Sequence, residues 1–149
     1  MVANVIAVDT NILVYAHRED SPFHEVADHK LTKLAESLTP WAIPWSCLFE
    51  FLAIVTHPKI YKPPTPLEDA LQQIDCWLES PTLELLGEGE NFWLTLRQSL
   101  TFAKIRGPMV HDVRIANVCL YHGVDVFWTA DRDYSRMPAL KCKNPLVMS

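Results

Sequence analysis

The sequence predicts an α/β protein whose mostly parallel sheet carries helices on both faces. Short apolar segments alternate along the chain with longer segments of helical periodicity, which is the pattern of such a sheet. The apolar run at residues 5–8 is continuous, as expected of a strand that is buried on both faces. With 149 residues, 49% hydrophobic and 21% charged, the chain has the size and composition of one globular domain, which we place over residues 1–149.

The first half of the chain begins with this strand and continues with four further elements. Ser21-Pro22 is typical of a helix N-cap followed by proline in the first turn. The apolar residues after it recur at helical spacing. Pro58 ends a later, almost wholly apolar helix, because the residue before a proline disfavours helical geometry. We predict helices over residues 10–16, 22–38 and 46–55, and a strand at residues 41–43.

The second half repeats the alternation after a proline-rich, lysine-containing loop at residues 59–66. The next helix has an apolar face that comprises Leu67, Leu71, Ile74 and Leu78. Gly123 lies where a helix C-cap belongs, and Pro145 weakens the case for a last edge strand. We predict helices over residues 67–78, 91–105 and from 112 up to Gly123, strands at 83–86 and 124–128, and a last edge strand within 141–147 that Pro145 disfavours.

Cysteine usage and hydropathy indicate where such a chain resides. The four cysteines are widely spaced and form no Cys-x-x-Cys pair, which disfavours a disulfide framework or a zinc site. Reduced thiols are typical of a cytoplasmic protein. No apolar run approaches the ~20 residues that a membrane span requires. We therefore expect a cytoplasmic protein that does not cross a membrane.

Acidic residues follow two of the predicted strands. Asp9 ends the first strand and Asp131 follows the strand at residues 124–128. If these strands run parallel, both carboxylates stand at the same edge of the sheet, where α/β proteins bind their ligands. Capping of the next helix would also explain Asp9, and an ordinary Asp-rich turn would explain Asp133.

Glu50 is the single charged residue in an otherwise apolar helix, and we expect it to be buried. A buried carboxylate requires an arginine partner, a raised pKa or a bound cation. Asp112 opens a predicted helix, where capping explains it about as well as chemistry. Taken together, the acids would suit a hard cation such as Mg²⁺, which prefers oxygen ligands and limits the repulsion between clustered carboxylates.

The net charge of −5 at first argues against a nucleic-acid partner. The chain has 18 acidic and 13 basic residues, so removing the five acids discussed above leaves 13 against 13. The acid excess therefore equals the proposed site. Most surface cations are only solvated. Three arginines that lie near the proposed site in sequence are nevertheless candidates for contacts to a phosphate backbone: Arg106, Arg114 and Arg132.

An ordered set of motifs resembles the PIN-domain family, and within it the VapC-type toxin ribonucleases. The matching pieces are Val8-Asp9-Thr10-Asn11, Ser46-Cys47-Leu48-Phe49-Glu50-Phe51-Leu52, His111-Asp112-Val113-Arg114-Ile115-Ala116 and Thr129-Ala130-Asp131-Arg132-Asp133-Tyr134. The resemblance implies a three-layer α/β/α fold and a metal-dependent endoribonuclease that acts on RNA with Mg²⁺ (or Mn²⁺). Tyr134 departs from the pattern, since phenylalanine is commoner there.

The resemblance also assigns roles to individual residues. It implies catalytic and metal-binding roles for Asp9, Glu50, Asp112 and Asp131, a lesser metal-binding role for Asp133, and supporting hydrogen bonds from Thr10, Asn11 and Thr129. It further implies a homodimer that a cognate antitoxin protein holds inactive. Apolar residues on the early helices would supply the antitoxin groove or the dimer face.

Three other functions are weighed against this one. A catalytically inactive PIN-like domain that binds RNA or scaffolds a complex is disfavoured by the presence of all four main acids. A phosphoaspartyl phosphatase usually needs a second aspartate where this chain has Asn11. A dinucleotide-binding domain is excluded by the absence of any Gly-x-Gly-x-x-Gly sequence.

Overall fold

A computed structural model describes residues 4–147, apart from the side chains of Ser135 and Arg136. Residues 1–3 and 148–149 of the predicted domain lie outside the described residues. Within 4–147 the chain forms a five-stranded sheet of order β3-β2-β1-β4-β5, and each neighbouring pair of strands is parallel. The strands are β1 (Ile6–Val8), β2 (Trp41–Pro44), β3 (Leu83–Leu86), β4 (Val126–Trp128) and β5 (Cys142–Lys143). The predicted parallel α/β fold is confirmed.

The helices pack in two groups. Contacts join α1 to α2 and to α3, and α3 to α4, while α5 packs on α6. Their bounds are α1 (Thr10–His17), α2 (His24–Glu36), α3 (Trp45–Val55), α4 (Leu67–Leu78), α5 (Phe92–Phe102) and α6 (Met109–Tyr121), and a short 3₁₀ helix follows β4 (Arg132–Arg136). No helix in the described part of the chain is long and apolar enough to cross a membrane.

Strand β1 is central because both of its faces and both of its edges are covered. Ala7 and Val8 are completely buried, and β2 and β4 pair with it on either side. Val8 is in register with Trp128, and the Asp9 amide donates to the Trp128 carbonyl at 2.9 Å. The two strands therefore end side by side, which places the residues after β1 next to those after β4.

Several predicted boundaries differ from the structure. The N-cap of α2 is Phe23 rather than Ser21, because Ser21 forms a turn in which its carbonyl accepts from the His24 amide at 3.1 Å. Helix α6 begins at Met109, so Asp112 lies in its first turn instead of opening it. The last predicted strand, β5, contains only two residues. The 3₁₀ helix after β4 was not predicted.

Helix α4 has the predicted bounds, but of its predicted apolar stripe only Ile74 packs against the core, and Ile74 is itself only partly buried. Ala70 and Trp77 are its buried residues, and the Trp77 ring packs edge-on against Phe51, with centroids 4.9 Å apart. The predicted apolar face is instead largely exposed, with 60% of Leu67, 43% of Leu71 and 44% of Leu78 accessible to solvent. Exposed apolar faces of this kind are typical of surfaces that bind another protein.

Candidate active site

A cavity of about 240 Å³ lies at the carboxyl ends of the central strands. The four acids predicted as the catalytic set line it: Asp9 after β1, Glu50 on α3, Asp112 on α6 and Asp131 after β4. The other lining residues are Thr10, Asn11, Val14, Tyr15, Ile54, Tyr61 and Ile115. The fold therefore brings together side chains that are far apart in sequence, while their catalytic roles stay a prediction.

Asp9 is the buried carboxylate of the cavity, with 5% of its surface exposed. Its Oδ1 accepts from the Thr10 amide at 2.8 Å, which makes Asp9 the N-cap of α1. Its Oδ2 accepts from the Thr129 hydroxyl at 2.7 Å. Burial raises the pKa of Asp9 from its ordinary 3.8 to about 6, against the hydrogen bonds from Thr129 and Thr10 that lower it. Capping and site chemistry are thus combined in one residue.

Asn11 and Thr129 hold the ends of β1 and β4 together. The Asn11 Nδ2 lies 3.3 Å from the Thr129 hydroxyl and 3.4 Å from Asp9 Oδ2. The Asn11 Oδ1 accepts from the Ala130 amide at 3.2 Å, and the Thr129 hydroxyl accepts from the Asp131 amide at 3.0 Å. These bonds fix the backbone on which both strand-end aspartates stand. Thr10, Asn11 and Thr129 are therefore placed where the predicted supporting residues would be.

Glu50 is exposed, and the expectation that it is buried was wrong. Phe49 and Ala53, which neighbour Glu50 on α3, are also exposed. The apolar composition of the helix therefore did not show that this face is buried, because apolar residues are common on protein surfaces. Glu50 nevertheless lines the cavity, and its Oε2 accepts from the Thr10 hydroxyl at 3.4 Å. Since solvent reaches this carboxylate, its presence on an apolar helix does not by itself require an arginine partner.

Asp112, Asp131 and Asp133 form the tightest carboxylate group of the site. One oxygen from each lies within 4.8 Å of the other two, an arrangement that could hold a metal ion. Burial, followed by the charges of Asp131, Asp133 and Glu50, raises the pKa of Asp112 to about 6. Asp131 also caps the 3₁₀ helix, because its Oδ1 accepts from the Asp133 amide at 2.8 Å. Asp133 is exposed and does not line the cavity itself.

The donor set suits a hard divalent cation. Carboxylate oxygens are the ligands that Mg²⁺ and Mn²⁺ prefer. Among the described side chains, the ion pairs are Arg18–Asp20 and Arg114–Glu88, and neither involves an acid of the cavity. No lysine or arginine in the described part of the chain forms an ion pair with these acids, and the charge of His111 is the least of the influences on the Asp112 pKa, so a bound metal ion would supply the missing positive charge.

The predicted phosphate-contacting arginines do not line this cavity. Arg114 is paired with Glu88, and Arg106 and Arg132 are exposed. Arg132 borders a neighbouring cleft together with Asp131. The structure thus brings the acids together in one cavity that none of the three arginines lines. Contacts between these arginines and RNA stay a prediction.

Three residues of the site received no role from the sequence. The Cys47 thiol is completely buried and donates to Asp9 Oδ1 at 3.7 Å, and burial raises its pKa well above the ordinary value. Tyr15 and Tyr61 also line the cavity. Only Cys47 carried a local signal, since it precedes Glu50 by three positions on one helix.

Comparison with known proteins gives concordant matches over nearly the whole chain. The family model described as PIN domain matches residues 6–140. The VapC ribonuclease Mb2897 of Mycobacterium bovis is 33% identical over 144 residues, which cover 95% of this chain and 96% of that protein.

Two solved structures have the same fold. The VapBC2 complex of Rickettsia felis, bound to a promoter DNA fragment, has a TM-score of 0.67 at 21% identity and covers 94% of this chain and 98% of that one. VapC20 of Mycobacterium tuberculosis, a toxin that cleaves the Sarcin–Ricin loop, has a TM-score of 0.66 at 14% identity and covers 89% and 94% of the two chains.

Proposed function

The chain belongs to the PIN-domain family, and from that premise we propose that it is the ribonuclease toxin of a VapBC-type toxin–antitoxin pair. It hydrolyses phosphodiester bonds of RNA and depends on Mg²⁺ or Mn²⁺. One observation carries this proposal: carboxylates from four separate elements line one cavity in which no described lysine or arginine is paired with them.

Each carboxylate has a task that follows from its surroundings. Asp112, Asp131 and Asp133 would hold the cation, since their oxygens already converge within 4.8 Å. Asp9 is fixed by Thr10 and Thr129, so its orientation is set before any ligand arrives. A bound Mg²⁺ or Mn²⁺ would make a water more acidic and would neutralise charge on the phosphate.

The exposed acid completes the arrangement. Glu50 reaches the cavity from the solvent side and accepts from the Thr10 hydroxyl. It is therefore placed to orient a water or to accept a proton at the open side of the site. The buried Asp9 and the exposed Glu50 are thus both bonded to Thr10, Asp9 through the Thr10 amide and Glu50 through the Thr10 hydroxyl.

The principal experiment separates an active nuclease from an inactive scaffold. The purified chain is incubated with single-stranded RNA in Mg²⁺, in Mn²⁺ and in EDTA, beside Asp112→Asn and the control Asp75→Asn. Asp75 is an exposed aspartate of α4 that does not line the cavity. Cleavage should require the metal, be lost in Asp112→Asn and persist in Asp75→Asn. Folded protein that binds RNA but never cleaves it would favour the scaffold function instead.

The partner is an antitoxin protein, as in the VapBC complexes that share this fold, and we further propose a homodimer. Exposed apolar side chains on α3, α4 and α5 support protein partners: Trp45, Phe49, Leu67, Leu71, Leu78, Trp93 and Leu94. Light scattering on the purified chain should give twice the monomer mass of 17.0 kDa.

The four cysteines, all within the described residues, are free thiols, which supports a reducing compartment such as the cytoplasm.

A further inference from the structure

The cavity has two chemically different halves. By chemistry the lining residues form two sets, which we call the carboxylate half and the uncharged half: four are carboxylates and the other seven are uncharged. The uncharged half includes two tyrosines, Tyr15 on α1 and Tyr61 from the loop that precedes α4, beside aliphatic residues such as Ile54. The aliphatic residues of the uncharged half pack in or against the hydrophobic core, so the partly exposed Tyr15 and Tyr61 are what this half offers to a ligand.

Tyr61 is held in place by a fixed arginine. The Arg18 guanidinium carbon lies 4.2 Å from the centroid of the Tyr61 ring, which is cation–π geometry. Arg18 is itself immobilised: its Nε and Nη2 donate to the two carboxylate oxygens of Asp20 at 2.9 and 2.6 Å. Its Nη1 donates to the Pro63 carbonyl at 3.0 Å and lies 3.3 Å from the Thr65 hydroxyl. The ring therefore rests on a rigid support before any ligand binds.

Helix α1 connects the two halves. Asn11, Tyr15 and Arg18 are spaced four and three residues apart, so they lie along one face of the helix and its C-cap. Asn11 is bonded to the Asp9 and Thr129 network, whereas Arg18 supports the Tyr61 ring. With a rise of ~1.5 Å per residue, Asn11 and Arg18 are about 10 Å apart along the helix axis. A group that binds Tyr61 is thus adjacent to whatever binds the acids.

We infer that Tyr61, supported by Arg18 and flanked by Tyr15, binds a nucleobase of single-stranded RNA next to the scissile phosphate. The uncharged half does not suit a second phosphate, because the charge of Arg18 is already satisfied by Asp20. Unpaired bases stack on aromatic rings in protein–RNA complexes, and a ring that is already fixed loses little freedom on binding. Arg18 lies over the ring and the core packs against part of it, so the portion of the Tyr61 ring that lines the cavity is what a base can contact. The inference rests on the proposed function, since it names how that site holds its substrate.

The test compares Tyr61→Ala, Tyr61→Leu and Tyr61→Phe with the control Tyr121→Ala, an exposed tyrosine of α6 outside the cavity. Stacking on one base is worth about 10-fold to 100-fold in affinity. We expect Tyr61→Ala and Tyr61→Leu to raise KM by about that factor while kcat changes little. Tyr121→Ala should behave like the unaltered protein, whereas Tyr61→Phe, which keeps the ring and loses only the hydroxyl, should raise KM less than Tyr61→Ala does. The Mg²⁺-induced shift in Tm should be the same in all four variants, which verifies that the carboxylate half is intact.

A second measurement assigns the effect to a base. An abasic nucleotide is placed in turn at each position of an otherwise unchanged RNA oligonucleotide, and binding is followed by fluorescence anisotropy in an Asp112→Asn background that cannot cleave. At one position, removing the base should weaken binding to the protein that retains Tyr61. Removing the same base should not weaken binding to the Tyr61→Ala protein any further, so that the losses from the two changes do not add.

The outcomes distinguish failure of the base site from failure of the proposed nuclease function. Additive losses at every position, or an unchanged KM in both Tyr61→Ala and Tyr61→Leu, would overturn the base site while leaving the nuclease intact. Weaker antitoxin binding with unaltered RNA kinetics would also overturn it, by assigning Tyr61 to the protein partner. A chain that neither binds nor cleaves any RNA would refute the proposed function itself.

Discussion

Replacing Asp9 by asparagine should change how stability depends on pH when no divalent metal is present. Burial raises the pKa of Asp9 from 3.8 to about 6 in the folded protein. The folded state therefore binds the proton of the Asp9 carboxyl more tightly than the unfolded chain does. The stability that this protonation contributes is complete below pH 4 and is lost as pH rises through 6. The loss amounts to about 3 kcal/mol, because each pKa unit corresponds to about 1.4 kcal/mol.

Asparagine removes the charge but keeps only part of the hydrogen bonding. Its side-chain oxygen can still accept from the Thr10 amide, whereas its NH₂ group cannot accept from the Thr129 hydroxyl as Asp9 Oδ2 does. That exchange costs about 1 kcal/mol. Asp9→Asn should therefore be less stable than the unaltered protein by about 1 kcal/mol at pH 4, and more stable by about 1–2 kcal/mol at pH 7.5.

The assay is urea unfolding in EDTA at pH values from 4 to 8, with both proteins measured in parallel. The difference between the two curves isolates Asp9, because Asp112, whose pKa is also raised to about 6, and the ion-paired Glu88 and Asp20 are present in both proteins. Added Mg²⁺ at pH 7.5 should stabilise the unaltered protein more than Asp9→Asn. Two parallel curves, or a difference that changes in the opposite direction, would show that Asp9 is not the group that titrates.

Three further predictions concern single side chains. Phe51→Ala should lower the free energy of unfolding by about 3–5 kcal/mol, because the fully buried ring packs edge-on against Trp77 and His17. Tyr134→Phe should raise it by about 1 kcal/mol, since the buried Tyr134 hydroxyl has no hydrogen-bond partner among the described residues. Glu50→Gln should leave it within about 0.5 kcal/mol, because the side chain is exposed, yet reduce RNA cleavage at least tenfold.

Each of these results has a clear contrary outcome. Loss of less than about 1 kcal/mol in Phe51→Ala would mean that α3 and α4 do not share one core. A less stable Tyr134→Phe would show that the hydroxyl is satisfied in the folded protein. Undiminished cleavage by Glu50→Gln would remove this acid from the mechanism, whereas a large loss of stability would restore the idea that Glu50 is buried.

The sequence alone determined the parallel α/β fold and the positions of the strand-end acids. Strand and helix periodicity are local properties, and parallel strands necessarily end at the same edge of their sheet. Local patterns were therefore sufficient to place Asp9 and Asp131 together, and β1 and β4 do end side by side. Boundaries were less secure where turns compete with helices, as at Ser21.

Only the tertiary structure decided which faces are covered and which distant side chains meet. An apolar helix does not reveal how much of it is buried, so the exposure of Glu50 and of the leucines on α4 depended on how neighbouring elements pack. The contact between Arg18 and Tyr61 joins the end of α1 to a later loop, and no local pattern encodes such a meeting. Local energetics sets the elements, whereas long-range packing sets which surfaces remain open to a substrate.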